Sequence, residues 1–98
     1  MVFSLHLTDE ARANLAELER DSGLGKRLKA VRKTLARLES NPRHPGLRSH
    51  KFESLAGPRG EEVFVVYAEQ NTPAAYRVFW CYGPDKGQIT VLGITSHP

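Results

Sequence analysis

The hydrophobic pattern changes period along the chain, and each change predicts an element. From Val2 to Leu7 it alternates, with Phe3, Leu5 and Leu7 on one side and Ser4 and His6 on the other, which predicts a half-buried strand. Thr8 then offers an N-cap oxygen, followed by Asp9 and Glu10 where a helix dipole favours carboxylates. Ala11, Leu15 and Leu18 recur at helical spacing until Asp21-Ser22-Gly23 supplies a stop. A second helix follows at once, its stripe of Leu24, Leu28, Val31, Leu35 and Leu38 stepping by four, three, four and three. Ser40-Asn41-Pro42 ends it, because the residue before a proline avoids the helical region. Two helices with so short a joint form an antiparallel hairpin.

Residues 43–60 are punctuated by Pro45, Gly46, Gly57, Pro58 and Gly60 and read as an irregular connection. Three strand patterns then follow: Glu62 to Glu69, Ala74 to Tyr82, and Ile89 to Ile94. The turns Gln70-Asn71-Thr72-Pro73 and Gly83-Pro84-Asp85-Lys86-Gly87 separate them. The last strand is apolar on both faces, which suits a position inside a sheet. The predicted order is β-α-α-β-β-β, an α+β fold in one domain over residues 1–98. An antiparallel meander has one face covered by the helical hairpin, and the first strand adds to an edge.

Within Ala74 to Tyr82, the most aromatic run of the chain, stands Arg77. Strand side chains alternate, so Tyr76, Val78, Trp80 and Tyr82 share one face and Arg77, Phe79 and Cys81 the other. A guanidinium is not enclosed alone. Arg77 therefore has an internal carboxylate partner, or its face opens onto solvent or an anionic ligand.

Composition adds bounds to this outline. Ninety-eight residues bury only about 60–65% of their unfolded surface, enough to fold without a staple but with little margin. Cys81 is the single cysteine, so no disulfide closes within the chain, which fits a reducing cytoplasm. No apolar run approaches the length of a membrane span. The net charge of +3 is unevenly spread. Residues 26–48 hold eight Lys or Arg against Glu39 alone, while the flanking segments are net negative. A segment so basic points to an anionic partner, or is a solvated helix face.

Several motifs fail on inspection. Gly23-Leu24-Gly25-Lys26 lacks the first glycine and the closing Ser/Thr of a phosphate loop. His6, His44, His50 and His97 have no metal-ligand spacing, so neither metal nor cofactor is expected. Cys81 reads as an inert buried thiol and Trp80 as core. Three features survive. One is Arg77; another is His97, just past the last strand, where an imidazole can transfer protons near neutral pH or simply face solvent. The third is the basic loop Arg43 to Lys51, which either reaches a phosphate backbone or is a solvated connector.

Taken together, these residues resemble the RelE/ParE superfamily of bacterial toxins. The resemblance rests on the element order, the basic second helix, Asn41-Pro42 leading to Leu55-Ala56-Gly57, the run Ala75-Tyr76-Arg77-Val78-Phe79-Trp80, and a last strand Ile89-Thr90-Val91-Leu92-Gly93-Ile94 ahead of His97. It implies a toxin neutralised by a cognate antitoxin protein. RelE-like members cleave mRNA on the ribosome, whereas the ParE-like branch poisons DNA gyrase without being a nuclease. By that likeness Arg77 contacts the scissile phosphate and His97 acts as general acid. RelE-like enzymes often carry lysines on the strand matching Glu62 to Glu69, which has no cation here. The general base then falls to His50, with His44 and Lys51 as alternatives. Lys26, Lys29, Lys33, Arg43, His44, Arg48 and Lys51 become the RNA-binding set. Three readings follow: a ribosome-dependent mRNA endonuclease, a gyrase-directed toxin, or a non-toxic domain in which Arg77 pairs with Glu62 or Glu69.

Overall fold

In the computed structural model, which describes residues 2–97, the chain runs β1 (Ser4–Leu7), α1 (Asp9–Arg20), α2 (Gly25–Ser40), β2 (His50–Ala56), β3 (Glu62–Tyr67), β4 (Tyr76–Tyr82) and β5 (Gln88–Ser96). Short 3₁₀ turns lie at Ser22–Leu24 and Pro45–Leu47. The strands form one sheet in the order β1-β5-β4-β3-β2. The four C-terminal strands are antiparallel neighbours, and β1 adds to the edge in parallel with β5. This is the expected α+β arrangement with one further strand.

That strand, β2, was not expected from the pattern, which reads residues 43–60 as irregular. It is an edge strand whose residues are all exposed except Phe52, and its register slips between Lys51 and Ala56. With one face wet and the ladder interrupted, no alternation survives to signal it.

α1 begins as its sequence predicts. The Thr8 hydroxyl accepts the Ala11 N–H at 3.1 Å and donates to the Leu92 carbonyl at 3.1 Å. Asn14 accepts the Ile94 N–H at 2.9 Å. These bonds meet a need of the sheet, because β1 pairs with β5 only from Gln88 to Val91. Beyond Val91 the outer edge of β5 takes its partners from α1, so its buried backbone groups stay satisfied.

The helices cover one face of the sheet. Ala11 and Leu18 of α1 and Val31, Leu35 and Leu38 of α2 pack with Val66, Val78, Trp80, Ile89, Val91 and Ile94. On the opposite face Val63, Val65 and Phe79 form a smaller cluster with Phe52 and Leu92, over which no helix lies. The alternation of β4 thus divides its side chains between a sealed core and a face covered only in part.

Candidate active site

Arg77 lies on that helix-free face. Across the ladder it stands opposite Tyr67 on β3 and Thr95 on β5, so the three side chains share one row. Its guanidinium carbon sits 4.9 Å from the centroid of Phe79, a cation–π contact along the strand. Its Nε is buried and has no hydrogen-bond partner among the described residues. Neither carboxylate that could have neutralised it does so. Glu69 is bonded to Arg27 at 2.6 Å, and Glu62 lies 3.4 Å from the Lys51 ammonium. Among the described residues Arg77 is thus a half-buried cation that belongs to no ion pair.

An open concavity of about 740 Å³ is lined by residues that include His50, Glu69, His97 and Tyr67; Arg77 is not in its lining and adjoins it through Tyr67, its partner across the ladder. The Tyr67 and His97 rings are 5.6 Å apart between centroids, tilted by 36°. The His97 backbone N–H donates to the Ala75 carbonyl at 2.9 Å, which prolongs the β4–β5 ladder and holds the ring at the rim. His50 reaches the concavity because it pairs with Val65, two residues from Tyr67 on the same face. Tyr67, which nothing in the linear pattern singles out as functional, pairs across the ladder with Arg77 and meets the His97 ring. Its signal was parity: with Val63 and Val65 on the helix-free face, Tyr67 must follow them.

No family model matches the chain, and no curated protein sequence does. Solved structures do. Over 97% of this chain and 99% of that one, the fold matches a YoeB/ParE toxin from Agrobacterium tumefaciens, with TM-score 0.69 and 9% identity. The archaeal RelE–RelB complex from Pyrococcus horikoshii matches over 98% and 96%, with TM-score 0.65 and 14% identity. The intact E. coli RelBE toxin–antitoxin complex matches over 98% of each chain, with TM-score 0.63 and 14% identity. The chain has the RelE/ParE toxin fold.

On this RelE/ParE-type sheet the other candidate residues lie on the helix side, His50 excepted. Lys26, Lys29 and Lys33 are exposed on α2, whose buried side packs against the face opposite Arg77. Arg27, by contrast, reaches the β3–β4 turn: besides binding Glu69 it donates to the Pro73 carbonyl at 3.1 Å. Arg43, His44 and Arg48 line a separate pocket on the helix side, together with Phe64 and Trp80. Lys51 stands opposite Phe64, which also packs into the helix-side core, and its ammonium faces Glu62. Of the three histidine and lysine candidates for a base, His50 alone shares the concavity with His97.

Two other titratable groups have shifted proton affinities. Burial pushes the Cys81 thiol up, with the nearby Glu61 carboxylate adding to the effect, so the thiolate nucleophile is disfavoured. Glu61 itself is held below the usual carboxylate range, first by its own backbone N–H and then by that of Arg59. Among the described residues no helix is long and apolar enough to cross a membrane.

Proposed function

We propose that this chain is the toxin of a toxin–antitoxin pair and cleaves mRNA on the ribosome, with the sheet face around Arg77 as its cleavage site. The observation that carries this reading is the guanidinium of Arg77, which forms no ion pair among the described residues, its two candidate counter-ions Glu62 and Glu69 being engaged elsewhere. Arg77 would bind the scissile phosphate bidentately and stabilise the charge that builds on it. His50 takes the proton of the 2′-hydroxyl, whose oxygen bonds to phosphorus. The P–O5′ bond breaks, and His97 gives the leaving oxygen its proton. The products are a 2′,3′-cyclic phosphate and a 5′-hydroxyl. Tyr67, against the His97 ring, orients it. The α2 lysines, across the sheet, serve attraction to ribosomal RNA rather than the chemistry. A cognate antitoxin is the implied protein partner, since solved relatives of this fold are RelE–RelB complexes.

The test is primer extension on mRNA in translating ribosomes treated with the purified chain. Cleavage by wild type, reduced by about 100-fold or more in Arg77→Ala, is the expected result. Absence of cleavage by wild type, or cleavage unaffected by the substitution, overturns the reading.

A second reading has its own observation: β3 carries no Lys or Arg. A non-catalytic, ParE-like toxin acting on DNA gyrase needs none. It predicts inhibition of supercoiling with RNA left intact, and a gyrase assay without effect removes it.

A further inference from the structure

A second concavity, of about 390 Å³, lies on the helix side of the sheet where the 42–49 loop meets β3 and β4. Its lining contains Ser49 and Trp80. The Ser49 Oγ and the Trp80 Nε1 are both buried and lack a hydrogen-bond partner among the described residues. Trp80 is only 1% exposed, so water does not compensate its N–H from the bulk. Native proteins rarely leave such donors unmet, and two in one pocket point to a ligand.

The rest of the lining defines the chemistry of that ligand. Arg43 and Arg48 border the pocket, and neither has an ion pair among the described residues. His44 accepts the Gly46 N–H on Nδ1 at 2.9 Å, so the neutral ring carries its proton on Nε2 and presents a further donor. Indole and guanidinium nitrogens donate only, and no carboxylate lines the pocket. The site therefore offers donors and positive charge, and its ligand must bring acceptors and negative charge. The pocket also has an aromatic wall. Tyr82 is 38% exposed, and its ring meets Trp80 edge-on at 5.0 Å and Phe64 edge-on at 5.9 Å. An acidic peptide would use the cations and leave that wall bare.

We propose that this pocket binds a nucleotide, free or as one residue of a single strand, with the base against Tyr82 and the phosphate held by Arg43 and Arg48. Stacking on an aromatic face beside arginines is the general mode of single-strand recognition, and the volume is of small-ligand size. The site lies across the sheet from Arg77, His50 and His97, so it does not depend on the cleavage reading.

Trp80 is the sole tryptophan, so its indole N–H gives one signal in a nitrogen-15 correlation spectrum. The labelled full chain is titrated with AMP, UMP, a short oligodeoxyuridylate that cannot be cleaved for want of a 2′-hydroxyl, and a poly-glutamate peptide. Saturable movement of the indole signal with nucleotide at millimolar concentration is expected, weakened about tenfold in Arg48→Gln and in Ser49→Ala. Ser49→Ala removes an unmet polar atom, so its melting temperature holds and the affinity loss is not misfolding. Equal affinity for UMP and the oligonucleotide assigns a free nucleotide; tighter, salt-sensitive binding of the oligonucleotide assigns a strand. An indole signal that nucleotides leave unmoved, or that only the acidic peptide moves, overturns the proposal.

Discussion

Arg27 and Glu69, on α2 and just past β3, are bonded at 2.6 Å, and the second guanidinium nitrogen of Arg27 bonds the Pro73 carbonyl at 3.1 Å. The pair does two things. It ties the first turn of α2 to the β3–β4 turn that rims the histidine concavity, and it occupies the carboxylate that might have neutralised Arg77. Both side chains are largely buried, at 25% and 15% exposure, so solvent screens them less than a surface pair.

Breaking this pair from one side should cost more than removing it whole. Arg27→Met leaves Glu69 as a part-buried charge and is expected to lower the unfolding free energy by about 1–3 kcal/mol. Arg27→Met with Glu69→Leu is expected to recover most of that loss. Urea unfolding of the four members of the cycle measures the coupling. Additive single effects would show that the contact contributes nothing. Because Glu69 also lines the concavity, freeing its carboxylate should weaken anion binding there.

Arg77→Met separates function from stability. A structural ion pair broken this way costs about 3–5 kcal/mol, because a partner charge is stranded. Here there is no ion-pair partner among the described residues, only a cation–π contact with Phe79 and an unmet Nε. Stability is therefore expected to stay within about 1 kcal/mol of wild type, the cation–π contribution being of that order. RNA cleavage is expected to vanish in the same variant. A large fall in melting temperature would restore the structural-pair interpretation.

The turn between β2 and β3 provides a pH-dependent test. Glu61 Oε1 accepts the Arg59 N–H at 2.7 Å, and a Cβ built on the buried Gly57 would meet that same oxygen at 2.5 Å and the Glu61 Cβ at 3.0 Å. Gly57→Ala must expel the Glu61 side chain and is expected to cost about 1–2 kcal/mol; in a Glu61→Ala background it should cost distinctly less. The depressed proton affinity of Glu61 sets the sign with acid. Its folded pKa lies below the unfolded one, so its contribution is complete above the ordinary value of 4.5 and is lost as pH falls through the folded value. Hydrogen exchange at the Arg59 amide should accelerate in that acidic window, beyond the intrinsic pH dependence of exchange. An unchanged protection factor would sink the argument.

Elements whose periodicity is enforced by burial were legible along the chain. The α2 stripe, the Thr8 cap, the two-faced β4 and the edge position of β1 are local consequences of side-chain period and capping chemistry. The element order that carries the resemblance was legible for the same reason. Tertiary structure decided what depends on register and on distant partners. β2 was hidden because an exposed, bulged edge strand has no face to pattern. Tyr67 became Arg77's neighbour only once β3 and β4 were paired, and His50 joined His97 only once β2 was paired with β3. The cations, clustered in sequence from Lys26 to Lys51, all fall on the helix side of the sheet but are parted there into an outer helix face, a loop pocket and Lys51 beside Glu62. Arg77's status turned on where Glu62 and Glu69 point, which no spacing along the chain reveals, because each carboxylate is claimed by a cation that only folding brings near.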